Sequence, residues 1–210
     1  MSITEMFATI EVRWFFSGIL PVSISNWFSV AAGPSLFEET RTDKYLLLPS
    51  RPDLGIKIRY QNFEIKSRTN SYGATKFTNS TAGRIEGWRK WSFSLPEKAF
   101  ERESQLVNGI QRVDIRKKRL QNWIEWVEGC AIKVGDMGDV ISSGCSLELT
   151  HVELLDQPYW TMGFESFGRS SDLFENLVHT AELVLNTDGA PHLPLAASLS
   201  YPQWLMREFP

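Results

Sequence analysis

Histidine and cysteine are scarce in this 210-residue chain, with three of the first and two of the second. His151, His179 and His192 stand apart and have no metal-ligand spacing to one another or to Cys130 and Cys145. That pattern speaks against a zinc site. A cysteine pair this sparse points to reduced thiols and a cytoplasmic setting rather than a disulfide framework. The sequence also lacks an uninterrupted apolar run of about 20 residues, the length needed to cross a membrane. Its nearest approach, Gly18 to Ala32, is broken by Pro21, Asn26 and several serines and reads as buried or cavity-facing structure. Glu5 and Glu11 near the N-terminus, with no basic segment before an apolar stretch, are wrong for a signal peptide. Nothing here calls for a membrane partner.

Positive charge is lacking too. The formal net charge of -3 excludes a nucleic-acid binder that works by overall attraction, and the basic run Arg116 to Arg119 has no companion patch. There is no Gly-x-Ser-x-Gly elbow, Walker-type loop or dinucleotide fingerprint, so the familiar nucleophile and nucleotide-fold readings fail. With no repeat, low-complexity tract or long linker, residues 1–210 are expected to form one domain.

What is present is aromatic and strand-like. Eight tryptophans suit a sheet-rich core or an aromatic-lined cavity. Ala8 to Trp14 alternates Ile10, Val12 and Trp14 with Thr9, Glu11 and Arg13, the period of a strand. Gly55 to Tyr60 and Phe63 to Arg68 read as the arms of a hairpin. Further strands are expected at Arg84 to Phe93, Val113 to Arg119, Ser146 to Glu153 and Trp160 to Phe167. Asp172 is placed to cap a helix that carries Glu175 and the stripe Leu173, Leu177, Ala181 and Val184. Trp123, Ile124 and Val127 recur at helical spacing, which predicts a helical or irregular stretch from Leu120 to Glu128. Ser200 to Pro210 is too apolar to be a loose tail and is expected to pack on the body. Many short strands with turns between them favour a barrel or sandwich.

The charges on these strands carry the functional reading. If Arg59 and Glu64 close the hairpin across Gln61-Asn62, Lys57 falls opposite Lys66, and all four share one face. Opposed like charges destabilise a sheet unless water or an anion lies between them. The plain alternative is a hairpin wet on one side. The pattern recurs, however, with Glu11 and Arg13, Glu86 and Lys90, Lys117 and Arg119 paired along strands, and with Glu148 and Glu165 inside apolar runs. Acids and bases on nearly every strand suit a closed barrel that is polar inside. Lysines and arginines bind phosphate oxygens, and carboxylates hold a divalent cation that bridges them.

Taken in order, these segments resemble the CYTH superfamily, the triphosphate tunnel metalloenzymes. Thr9-Ile-Glu11-Val-Arg13 stands where that family opens with Glu-x-Glu-x-Lys. Arg41-Thr-Asp43-Lys-Tyr45, Leu54-Gly-Ile-Lys57-Ile-Arg59 and Phe63-Glu64-Ile-Lys66 are similar to its run of tunnel strands. Lys117-Lys-Arg119 is similar to its later basic strand, and Gly163-Phe-Glu165 to its closing acidic strand. The resemblance implies an α+β fold, a closed antiparallel barrel of about eight strands with helices packed outside. It also implies an inorganic or organic triphosphate as ligand and magnesium or manganese as cofactor. Arg13, Lys57, Arg59, Lys66, Lys90, Lys117 and Arg119 would bind the substrate. Glu11, Glu64, Glu148 and Glu165 would serve the metal, with Glu11, Arg13 and Glu165 as the catalytic set.

Three departures matter. Thr9 replaces a carboxylate, Arg13 replaces a lysine, and Gly163 occupies a place where a second acid could stand. A non-catalytic polyanion binder of the same fold is therefore one alternative to a triphosphatase. A barrel that holds an apolar ligand among its tryptophans, with the charged faces turned outward, is another.

Overall fold

The computed structural model describes residues 3–33, 37–60, 62–94, 109–127, 130–133, 143–169 and 171–210. Among the described residues nine strands form one antiparallel sheet: β1 (Ile3–Ser17), β2 (Phe37–Leu46), β3 (Leu54–Arg59), β4 (Asn62–Lys76), β5 (Ala82–Ser94), β6 (Arg112–Val127), β7 (Cys130–Lys133), β8 (Gly144–Leu154) and β9 (Gln157–Phe167). Their order is β2-β3-β4-β5-β1-β9-β8-β6, and β6 pairs back onto β2 from Phe37↔Gln121 to Leu46↔Arg112. Eight strands thus close a barrel, and β7 adds to β6 alone. Closure removes both sheet edges, and each strand then has one face inward and one outward.

The outward face makes the main core. Ile10, Val12 and Trp14 of β1 pack with Leu147, Leu149, Met162 and Phe164 beneath two helices, α1 (Val22–Ala31) and α2 (Leu173–Leu185). The expected stripe Leu173, Leu177, Ala181 and Val184 is the buried face of α2. Each large apolar side chain buried there contributes roughly 1.5–3 kcal/mol. Asp172 occupies the N-cap position but makes no capping hydrogen bond, and its carboxylate instead accepts from the Ser171 hydroxyl at 2.6 Å. The apolar segment after Gly18 becomes α1, which buries Trp27, Phe28 and Ala31 against the outer wall and does not face the cavity.

Two expectations need correction. Leu120 to Val127 is not helical but the second half of β6, paired with β8 and β7 (Glu128 lies outside the described residues). The helical spacing misled because burial there does not follow a clean alternation: on the outer face Asn122 donates to Ala32 O at 2.6 Å and Trp126 Nε1 to Thr180 at 2.7 Å, while Gln121 is buried on the inner face. A strand covered on both sides loses its alternation. The hairpin is also tighter than expected. Arg59 faces Asn62, Lys57 faces Glu64, and Gly55 faces Lys66. Tyr60 makes the turn at φ +52°, and Gln61 lies outside the described residues. A slip of two residues keeps Lys57, Arg59, Glu64 and Lys66 on one face, so the opposed lysines are Lys66 and Lys90, across β4 and β5.

The C-terminal segment forms α3 (Tyr201–Glu208), which packs across one end of the barrel. Cys130 and Cys145 are free thiols. Among the described residues no helix is long and apolar enough to cross a membrane.

Candidate functional site

The inward faces of the strands enclose a cavity of about 170 Å³. Arg13 reaches it from β1, Arg41 from β2, Lys57 and Arg59 from β3, Lys66 from β4, Lys90 from β5, and Lys117 and Arg119 from β6. Four carboxylates line it as well: Glu11, Glu64, Glu148 and Glu165. All eleven residues singled out in the sequence therefore meet around one space. Asp43 and Glu39 pair with these bases from behind the lining, so eight bases face six acids, and the remaining excess of positive charge suits an anion. The charged faces turn inward, so the apolar-ligand barrel does not hold. The buried tryptophans Trp14 and Trp204 are spent on packing.

Asp43 of β2, a residue with no role assigned from sequence, organises the most buried part. Its side chain is fully buried and meets Lys117 at 2.9 Å, Arg59 at 3.0 Å, Arg41 at 3.2 Å and Lys57 at 3.3 Å. Burial alone would raise its pKa, but Lys117, Lys57 and Arg59 outweigh it and hold the carboxyl well below the usual range. Burial draws the lysines the other way. Lys117 is lowered well below its ordinary value, and Lys57, beside Arg59, is drawn down to about 8. Lys117 also donates to the Tyr45 hydroxyl at 2.9 Å. A signal for this hub was visible in the alternation Arg41-Asp43-Tyr45, which puts an acid between a base and a phenol on one strand face.

Arg13 and Gly163 are a matched pair. They face each other across β1 and β9, and Gly163 faces Glu148 across β9 and β8. The Arg13 guanidinium lies over Gly163 and donates to Glu148 at 2.7 Å and to Thr161 at 3.3 Å. A Cβ at position 163 would come within 2.9 Å of the guanidinium carbon. Glycine is thus the space through which the long arginine spans two strands. Arg119 grips the same Glu148 at 3.2 Å and Glu39 at 2.7 Å. Burial would raise the Glu148 pKa, but Arg13 and Arg119 bring it far below the ordinary carboxylate value.

The other charge cluster is built on Lys66. Its ammonium donates to Glu11 at 2.6 Å and to Glu165 at 3.1 Å, two residues that face each other across β1 and β9. Burial pushes Glu165 up, Lys66 pulls it down further, and the result is about 2. This ammonium stands between two hard oxygen donors as a metal cation would. A divalent ion that shares its shell with phosphate oxygens needs one or two carboxylates, and Glu11 and Glu165 fit that requirement. Glu64 is already engaged by Lys57 at 3.2 Å and Lys90 at 3.5 Å, and Glu148 by two arginines, so these two are better placed to orient bases. Among the described residues no group of three or more His, Cys, Asp or Glu side chains gathers closely enough to hold a metal by itself.

Several polar atoms at the cavity lack partners. Of seven buried side-chain polar atoms without a hydrogen bond among the described residues, four belong to residues that line it: atoms of Trp88, Arg119 and Tyr201, and a Glu64 oxygen that is nonetheless ion-paired to Lys57 and Lys90. Such groups are costly unless something satisfies them. Tyr201 and Trp88 were not foreseen from sequence. Tyr201 comes from α3, so no strand pattern could reveal it.

No protein-family model matches the sequence, and no curated protein does either. Solved structures do. The PH1819 protein from Pyrococcus horikoshii OT3 superimposes with a TM-score of 0.54 over 95% of this chain and 99% of its own, at 14% identity. A conserved hypothetical protein from Pyrococcus furiosus reaches 0.45 over 87% and 93%, at 17% identity. HpAC1 from Hippeastrum, described by its dominant triphosphatase activity, reaches 0.42 over 97% and 96%, at 14% identity. The likeness is one of fold. The closed eight-stranded antiparallel barrel expected from the resemblance to the triphosphate tunnel proteins is the fold this chain has.

Proposed function

Starting from that fold, we propose that the lumen binds the linear polyphosphate group of an inorganic or organic triphosphate and, with a divalent cation, hydrolyses it. The observation that carries the reading is the set of eight bases facing four carboxylates around one cavity of about 170 Å³. Arg13, Arg59 and Arg119 present planar donor forks suited to phosphate oxygens, and their acid partners hold those forks in place. Lys57, Lys66, Lys90 and Lys117 add point charges around the same chain of phosphates.

Magnesium or manganese, held by Glu11 and Glu165, would neutralise charge on the phosphate oxygens. In the reaction a water oxygen forms a bond to phosphorus, the bridging P–O bond breaks, and the leaving phosphate keeps the electron pair. Glu165, with its pKa near 2, is too weak a base to carry the proton away, so its part is to orient the water. The proton leaves with the phosphate products. Phosphoryl transfer of this kind relies on position and charge more than on a strong base.

Calorimetric titration of EDTA-stripped protein with tripolyphosphate tests both halves. Saturable heat without metal is expected, followed by sustained heat flow once Mg²⁺ or Mn²⁺ is added. Silence in every run overturns the reading. Thr9 supports a second reading, a non-catalytic polyanion binder. It offers an unpartnered hydroxyl where the resemblance expects a carboxylate. Under that reading heat stops at saturation with and without metal, and Thr9→Glu strengthens metal dependence.

A further inference from the structure

One end of the barrel is filled. Phe15, Val113, Ile115, Val152 and Leu154, from the inward faces of three strands, are buried with Trp204 and Leu205 of α3. The Trp204 ring stacks on Phe15 with centroids 4.7 Å apart. The helix is seated by specific contacts. The Ser200 amide donates to Gln203 at 2.8 Å, and Gln203 donates to Glu86 of β5 at 3.3 Å. Tyr159 of β9 donates to Glu208 at 2.8 Å, and Gly55 of β3 leaves room for Pro202, whose ring would meet a Cβ there at 3.2 Å.

At the first turn of this helix stands Tyr201. Its ring stacks on Tyr45 at 5.5 Å, takes the edge of Phe15 at 4.9 Å, and carries Lys117 at 3.8 Å and Arg13 at 5.3 Å on its faces. Its hydroxyl is buried without a hydrogen-bond partner. Tyr201 lines the charged cavity together with Arg13, Arg41 and Glu148. Burial raises its pKa well above that of a free phenol, so it keeps its proton and is a donor. The acids around it are already engaged: Asp43 by four bases, Glu148 by Arg13 and Arg119. A ligand oxygen is the acceptor still missing.

We infer that Tyr201 reads the inner end of the ligand: its hydroxyl donates to an oxygen of a bare terminal phosphate, and the aromatic plug of α3 rejects a polyphosphate esterified at both ends. This inference rests on the reading of the lumen as a polyphosphate site and narrows the ligand to compounds with at least one free phosphate terminus.

The test is metal-free calorimetry on wild type and Tyr201→Phe with tripolyphosphate, ATP and diadenosine triphosphate, with the unfolding temperature measured alongside. Wild type binds the first two and not the third. Tyr201→Phe keeps the ring packing and the unfolding temperature but binds the first two about tenfold more weakly, the loss expected for a hydrogen bond to a charged group. Equal affinity in the two proteins overturns the inference, as does wild-type binding of diadenosine triphosphate as tight as that of tripolyphosphate. The wild-type arm with diadenosine triphosphate does not depend on how the variant folds. Wild type that ignores tripolyphosphate fails the underlying reading instead, a result distinct from the other two.

Discussion

Around Asp43, one carboxylate serves four bases, whereas around Lys66, one base serves two carboxylates. The first cluster is sealed at its centre, with Asp43 at 0% and Lys117 at 3% side-chain exposure, while Lys57 and Arg59 at its margin reach 15% and 20%. The second is half open, with Lys66 at 27% and Glu165 at 32%. Two lysines on adjacent strands record the difference. Lys57 loses part of its hold on its proton to burial and to neighbouring Arg59, while Lys66, also penalised by burial, is raised because Glu11 and Glu165 outweigh that penalty. A single lumen thus carries a base-rich part and an acid-rich part, set by which residues share a counter-ion, and the proposed phosphate and metal roles divide along that line.

The largest effect is expected from removing the hub. Asp43→Asn leaves four buried bases short of a counter-charge and should cost about 3–5 kcal/mol of stability, measured by denaturant unfolding. Tripolyphosphate should then raise the unfolding temperature more in this variant than in wild type, because the ligand supplies the missing negative charge. No extra rescue would mean that the anion sits elsewhere. The pH arm has a definite sign. Asp43 has a folded pKa far below its unfolded value, so its stabilisation is full above about pH 4 and is lost as the pH falls below that. Asp43→Asn should flatten that acid limb.

Next in size comes the acid-rich cluster. Glu165→Gln should weaken metal dependence by at least the 10–100-fold typical of losing an outer-shell partner, yet leave metal-free tripolyphosphate binding nearly intact. Equal damage to both would erase the division between the clusters. A smaller effect follows from Lys57. Its charge is present below pH 8 and lost above, so tripolyphosphate affinity should fall about tenfold as the pH rises from 7 to 9.5. Lys57→Met should remove most of that slope. The smallest effect belongs to Gly163→Ala. The new methyl displaces the Arg13 guanidinium, and losing one hydrogen bond of about 1 kcal/mol should weaken anion binding roughly fivefold with little change in stability.

The strands were legible because alternation survives wherever one face is wet or charged. Ile10, Val12 and Trp14 against Thr9, Glu11 and Arg13 is such a pattern, and it placed β1 correctly. The same rule failed over Leu120 to Val127, where Asn122 and Ile124 are buried on the outer face and Gln121 is buried on the inner one. The eleven charged residues of the site were legible as inward-facing positions of charged strands. Asp43 was legible only as an acid between a base and a phenol on one strand face, and its role as a hub was not; Trp88 looked like core, and Tyr201 lies on a helix whose position is a matter of packing.

Residue types and their period, read along the chain, narrowed the fold to a barrel or sandwich, and the charges on nearly every strand, with the resemblance to the triphosphate tunnel proteins, favoured a closed barrel with a polar interior. The same period also put the bases and acids on the right faces, since a register slip of two in the hairpin changes partners without changing sides. Partnership had to wait for the tertiary structure. Coulomb interactions fall off over a few ångströms, so whether Lys57 shares an acid with three other bases or Lys66 holds two acids to itself depends on strand order, closure and the seating of α3. Those are contacts between residues far apart in the chain, such as Arg13 with Tyr201, 188 positions away, and local sequence carries no trace of such pairings.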